Sequence, residues 1–152
     1  MSAPTTGSAS IDIAAPPALV YGLIADVTNM GRWSPECHTC EWVDEPGLVG
    51  SRFKGRNRNG LMRWTTTAKV LAAEPGKEFT FATLFRDGPA TKWSYTLEGD
   101  DDRTTLTESF DAVTTPAVIA LAERLFLRNR QEQLEEGLRS TLAKIKAAAE
   151  AT

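Results

Sequence analysis

The chain has 152 residues, 41% hydrophobic and 24% charged, which fits one folded domain and excludes both a disordered chain and two domains of ordinary size. Seventeen Lys and Arg against twenty Asp and Glu leave a net charge of -3, which argues against non-specific nucleic-acid binding by the whole molecule. Two cysteines and one histidine are too few for a four-ligand structural zinc site in one copy, and no apolar run reaches the ~20 residues of a membrane-spanning helix.

Met1 to Ser8 is rich in Ser, Thr, Ala and Gly and reads as a flexible tail ahead of one domain over residues 9–150. Met1 to Ser10 has neither the charged nor the apolar region of a signal peptide. A cytoplasmic location with reduced thiols is therefore expected. Ser10 to Ala14 alternates around Ile11 and Ile13, the pattern of a short strand. Pro16-Pro17 opens a helix, because proline is tolerated in the first turn, and Leu19, Val20, Leu23, Ile24 and Val27 give it one apolar stripe. Asn29 to Trp33 predicts a second short helix or turn, ended by Pro35.

Six strand patterns follow, over Cys37–Val43, Ser51–Asn57, Met62–Ala72, Glu78–Phe85, Thr91–Glu98 and Thr104–Val113. Between them stand Pro46-Gly47, Asn59-Gly60, Pro75-Gly76, Asp87-Gly88 and the acidic run Asp100 to Asp102. Such punctuation predicts an antiparallel meander. Thr115 is placed to cap a final helix begun by Pro116, which runs to the C-terminus without another proline, about 50 Å at ~1.5 Å per residue. Its first half carries Val118, Leu121, Ala122 and Leu125, its second half Leu134, Leu138, Leu142, Ile145 and Ala149. Arg128 to Gln133 has no apolar residue, which predicts a kink or a change of packing partner there.

A curved antiparallel sheet hides one face against a helix, and where its curvature exceeds what the helix fills, a hollow remains. Alternation assigns the inward side chains: Met62, Trp64, Thr66 and Ala68 on one strand, Phe79, Phe81, Thr83 and Phe85 on the next. Trp93, Tyr95 and Leu97, then Leu106, Glu108 and Phe110, complete the set. Arg63, Thr65, Thr67, Lys69, Lys92, Ser94, Thr96, Thr105, Thr107 and Ser109 take the opposite, solvent face. An inner set that is large, aromatic and interrupted by few polar groups is the composition of a small-molecule site; solid packing is the alternative.

Several motifs carry a resemblance across about Ser10 to Ala149. They are Ile11-Asp12-Ile13 with Ala15-Pro16-Pro17, Asp26-Val27 with Asn29-Met30, and Trp33-Ser34-Pro35-Glu36. Gly50-Ser51-Arg52-Phe53 and Arg63-Trp64 follow, then Glu74-Pro75-Gly76-Lys77-Glu78-Phe79, Trp93-Ser94-Tyr95 and Thr107-Glu108-Ser109-Phe110. In this order they resemble the START-like helix-grip superfamily, and more closely its bacterial polyketide cyclase/dehydrase and lipid-transport (SRPBCC) group. The resemblance implies an α+β fold: a seven-stranded curved antiparallel sheet wrapped on a long C-terminal helix, with two short helices after strand 1, over a ligand tunnel. It does not give a reaction, because the superfamily holds carriers, cyclases, hydrolase-like enzymes and adaptors.

Glu108 is the most informative residue. Between Leu106 and Phe110 on the inner face, its carboxylate is expensive to ionise without a partner, and burial raises its pKa towards acid–base use. Its readings are a general acid/base or polar anchor, or a structural carboxylate satisfied across the sheet. His38, the only histidine, is a second candidate for proton transfer; in a regular strand it shares a face with Cys40 while Cys37 points away. Three residues of regular strand span ~10 Å, so these two cysteines do not bridge there. Asn57 points inward as a further polar group. Trp33, Trp64, Phe81, Trp93, Tyr95 and Phe110, with Thr66 and Thr83 and with Leu134 and Leu138 from the helix, are the expected ligand-binding lining. Arg32 and Glu36 beside Trp33 are expected at the rim, and Gly137 leaves room beneath the helix. Arg52, Lys54, Arg56 and Arg58 share the outer face and read as a solvated edge strand protected by charge.

No phosphate loop, dinucleotide fingerprint or Ser-His-Asp order is present, and no metal or cofactor is expected. The expected function is binding or transport of a hydrophobic small molecule (lipid, fatty acid or polyketide-like) by a monomer or homodimer, without nucleic acid. The alternatives are a cofactor-free cyclase, aromatase or dehydratase using Glu108, with His38, Asn57 or Tyr95 orienting a carbonyl, and a protein-interaction or stress adaptor.

Overall fold

Alternating burial runs along the strands, and the sheet that results is the concave half of the molecule. The computed structural model describes residues 6–85, 88–112 and 130–151. Strand β1 is Thr6–Ile13, helix α1 Pro17–Ala25, and a 3-10 turn Val27–Asn29 leads to the one-turn helix α2, Met30–Trp33. Strands β2 to β7 are Cys37–Trp42, Arg52–Asn59, Met62–Glu74, Glu78–Phe85, Gly88–Gly99 and Thr104–Ala112, and helix α3 is Arg130–Glu150. The sheet order is β1-β7-β6-β5-β4-β3-β2, antiparallel throughout. The two short helices thus carry the chain from one edge of the sheet to the other, and the meander returns it.

Where the boundaries differ from expectation, backbone pairing is the reason. β1 begins at Thr6 rather than Ser10, because Thr6, Gly7 and Ser8 pair with Asp111, Phe110 and Ser109. Ladder hydrogen bonds hold that segment without side-chain burial, and Gly7 leaves room for the Phe110 ring that a Cβ would strike. Residues 1–5 of the expected tail lie outside the described residues. The β3–β4 and β4–β5 hairpins pair right up to their turns, Asn59 with Met62 and Glu74 with Glu78. Gly60 (φ 60°) and Gly76 (φ 76°) supply the left-handed backbone those reversals need. Asp87, Val113, the expected Thr115 cap, Pro116 and the first-half helix stripe lie outside the described residues.

Arg52, Lys54, Arg56 and Arg58 are exposed as expected, but β3 is not an edge. β2 covers it, so protection of an unpaired strand does not explain the row. Among these cations, Arg52 is held by the Asp44 carboxylate at 2.9 and 3.2 Å.

Pro16 precedes α1, whose Val20 and Ile24 face inward, and Asp26 caps the next turn by accepting from the Thr28 amide and hydroxyl at 3.1 and 2.6 Å. α3 lays Leu142, Ile145 and Ala149 on the concave face, in one cluster with Ile13, Val70, Phe79, Leu97 and Leu106, and Leu138 is buried outside that cluster. Phe79, with 0% exposure, anchors this core, meeting the rings of Tyr21 and Phe81 at 6.4 and 6.0 Å. Phe79→Ala is expected to lower the unfolding free energy by about 3–5 kcal/mol; urea titration checks this, and a loss below about 1 kcal/mol contradicts the assigned core. No described helix is long and apolar enough to cross a membrane.

Candidate functional site

Beyond the packed end of the core, sheet and helix part, and a cavity of about 340 Å³ lies between them. Its walls come from six strands, β2 to β7, mostly through alternate residues. β3 and β4 contribute Asn57, Trp64 and Thr66, and β5 Phe81 and Thr83. β6 and β7 contribute Trp93, Tyr95, Glu108 and Phe110. Leu134, Leu138 and Thr141 of α3 form the roof, with Gly137 between them. The period-two pattern therefore brings together all the expected lining residues of the sheet, and the helical stripe supplies the rest.

Glu108 sits in the middle of this wall at 5% exposure. The register sets it directly opposite Tyr95, whose hydroxyl is the polar group that acts on its carboxyl group. Among the described residues, Oε1 of Glu108 is buried with no hydrogen-bond partner. Loss of water is the dominant influence on the group: burial pushes its pKa up to about 8, against the weaker downward pull of the Tyr95 hydroxyl. Burial, and the neighbouring Glu108 charge after it, likewise hold the Tyr95 phenol well above its ordinary range. With its pKa raised to about 8, Glu108 keeps its proton at neutral pH and stands as a neutral acid beside a neutral phenol in the cavity wall. Asn57, by contrast, spends its amide N–H groups within the wall, donating to the Thr66 hydroxyl at 2.7 Å and to the Gly55 and Trp64 carbonyls at 3.4 Å.

Two expected residues lie elsewhere. His38 is exposed, because a β-bulge between Cys37 and Thr39 inserts one residue into β2 and turns the imidazole outward. The same bulge reverses Cys37, so that both cysteines, and not His38 with Cys40, face the cavity. Trp33 is buried in the core rather than in the lining, with the Arg32 guanidinium over its ring at 5.2 Å and its carbonyl accepting from the Thr141 hydroxyl at 3.3 Å. Glu36 borders the cavity as expected, and its carboxylate accepts from Asn59 at 2.9 Å.

The cavity also holds residues that the sequence did not single out. Thr141 lies one turn from Leu138, where helical spacing points to it. Leu84 enters only because a second irregularity, between Thr83 and Leu84, shifts the β5–β6 register. Alternation cannot signal such a shift. Met30 and Gln133 line it as well.

A family model described as polyketide cyclase/dehydrase and lipid transport matches residues 4–150. The chain is similar to the polyketide-cyclase-like protein Cgl2372 of Corynebacterium glutamicum, with 36% identity, 96% of this chain and 91% of that one covered, and a TM-score of 0.61. It shares its fold with CV1439 of Chromobacterium violaceum at 19% identity and TM-score 0.69, covering 97% of this chain and 99% of that one. The Zhui aromatase/cyclase of Streptomyces sp. R1128 shares it too, at 18% identity and TM-score 0.66, with 95% and 93% covered. No curated protein matches significantly.

Proposed function

The chain belongs to the polyketide cyclase/dehydrase and lipid-transport family, and we propose that it binds a hydrophobic small molecule in the cavity, with one polar atom of the ligand seated on Glu108. The observation that carries this reading is the combination of an aromatic hollow of about 340 Å³ with a buried carboxyl oxygen that has no partner among the described residues. That volume falls at the lower end of the ~300–1,000 Å³ of small-molecule sites. An unpaired buried oxygen costs about 1–3 kcal/mol, so a ligand hydroxyl or carbonyl that pairs with it recovers this energy while its apolar body stays out of water. The favoured ligand class is flat or short-chained, apolar, and carries one hydrogen-bonding group: a lipid fragment, a fatty acyl chain or a polyketide-like ring.

Titration calorimetry with 1-naphthol and with decanoate tests this. Binding by the native protein and its loss in Leu138→Trp, which extends a ring from α3 into the hollow, is expected. The variant itself is expected to keep its fold at a cost of about 1–3 kcal/mol. Undiminished binding by a folded Leu138→Trp variant contradicts the assignment.

A second reading, a cofactor-free aromatase/cyclase or dehydratase, draws on the same donor pair. The protonated Glu108 gives a proton to a ligand carbonyl oxygen as a carbon nucleophile of the same chain attacks the carbonyl carbon, and Tyr95 holds the carboxyl in place. The Zhui aromatase/cyclase neighbour and the raised pKa of Glu108 favour it. Glu108→Gln separates the two: a pure binder keeps its ligand, whereas a cyclase keeps the ligand and loses turnover of a poly-β-ketone mimic.

A further inference from the structure

Cys37 and Cys40 are the only cysteines of the chain, both are unbridged, and neither takes part in the donor pair of Glu108 and Tyr95. In a regular strand their separation forbids a bond between them. The bulge changes that geometry. Cys37 lies opposite Asn57 and Cys40 opposite Gly55, so three steps along β2 are matched by two along β3. Two steps of strand span about 6.6 Å, inside the ~4.4–6.8 Å of Cα separation that a disulfide accepts. Their side chains point the same way, and the Cys37 thiol donates to the Thr39 carbonyl at 3.3 Å. Both sulfurs lie above Gly55, at 3.2 and 4.0 Å from where its Cβ would be, so a side chain there would crowd the pair. β2 is the edge strand, and small adjustments of its backbone disturb no second ladder.

We infer that Cys37 and Cys40 form a redox-active dithiol in the cavity wall, oxidised to an intrachain disulfide by hydroperoxides that enter the hollow. Bulk water barely reaches the sulfurs, at 5% and 9% residue exposure, yet both line the cavity. The two are unequal. The neighbouring Cys40 thiol lowers the pKa of Cys37, whereas the Cys37 sulfur and burial raise the pKa of Cys40. Cys37 is therefore the nucleophile. Its thiolate attacks the distal oxygen of the hydroperoxide, the O–O bond breaks, and the alkoxide leaves with a proton as an alcohol, giving the sulfenic acid of Cys37. The Cys40 sulfur, its proton lost to solvent, then attacks the Cys37 sulfur, the S–S bond forms, and hydroxide leaves as water. A thiol reductant reverses the change by two exchanges.

The test uses the full chain with one equivalent of hydrogen peroxide, followed by intact-mass and peptide mass spectrometry and a far-UV circular dichroism spectrum. The expected product is a monomer lighter by two hydrogens, cross-linked between Cys37 and Cys40, still folded, and restored by dithiothreitol. Cys40→Ser is expected to stop at a sulfenic acid on Cys37 that dimedone traps, and Cys37→Ser to react at least about tenfold more slowly. Two free thiols after treatment, a cross-link that appears only in urea-unfolded protein, or trapping at Cys40 in place of Cys37 would overturn the inference.

Discussion

Glu108→Gln is expected to stabilise the folded protein at pH 8 by several kcal/mol while leaving its stability near pH 4 almost unchanged. Gln keeps the shape of the side chain and an acceptor for the Tyr95 hydroxyl but cannot ionise. The sign follows from the raised pKa, about 8 in the folded protein against an ordinary carboxyl value of 4.5. Below the ordinary value both folded and unfolded chains hold the proton, and the acid costs nothing. Between the two values the unfolded chain releases its proton and the folded one keeps it, so stability falls as pH rises, by up to about 1.4 kcal/mol per pH unit. Across that window the loss is on the order of 4 kcal/mol, and above the folded pKa it stops growing. The other titrating groups are common to both proteins, so the difference between their urea-denaturation curves against pH isolates Glu108. Parallel curves would show that the carboxyl is solvated or paired.

The second large effect is expected at a residue outside the cavity lining. Gly31, in α2, lies so close to β2 that a Cβ there would collide with the carbonyl group of His38. That carbonyl belongs to the bulge between Cys37 and Thr39. Gly31→Ala therefore forces backbone apart, a change that flexible side chains cannot absorb. A loss of about 1–3 kcal/mol is expected, although alanine favours a helix over glycine by ~1 kcal/mol. Because the bulge also aims Cys37 into the cavity, the same substitution is expected to expose that cysteine to iodoacetamide. Thermal unfolding with thiol-alkylation kinetics checks both outcomes; a variant more stable than the native chain, with both thiols still protected, would show that α2 does not hold the bulge.

These two residues also mark what the sequence makes legible. Glu108 stands between Leu106 and Phe110 in an alternating strand, so its burial can be read from neighbours two positions away. The same period places Trp64, Phe81, Trp93 and Tyr95 on the inner face, and the turn glycines Gly60 and Gly76 mark two reversals that the backbone makes. Bulges are different. They depend on how two strands pair, and nothing within Cys37 to Trp42 announces the inserted residue that sends His38 outward. The order of strands is likewise a tertiary fact: a row of cations on β3 resembles an edge, and only β2 lying beyond it shows otherwise. The resemblance in motif order reached the family, which the match over residues 4–150 establishes. Its motifs do not all serve the site: Trp93, Tyr95 and Glu108 line the cavity, whereas Trp33 serves the core.

Ligand binding at this site requires a neutral acid facing a hollow that a small apolar molecule can enter. Carbon-13 NMR of the Glu108 carboxyl, followed against pH and then against added 1-naphthol, observes both halves at one atom. The prediction is a midpoint near pH 8 in the free protein and a signal that moves as the ligand binds. A midpoint in the ordinary carboxylate range, or a signal indifferent to the ligand, would contradict it.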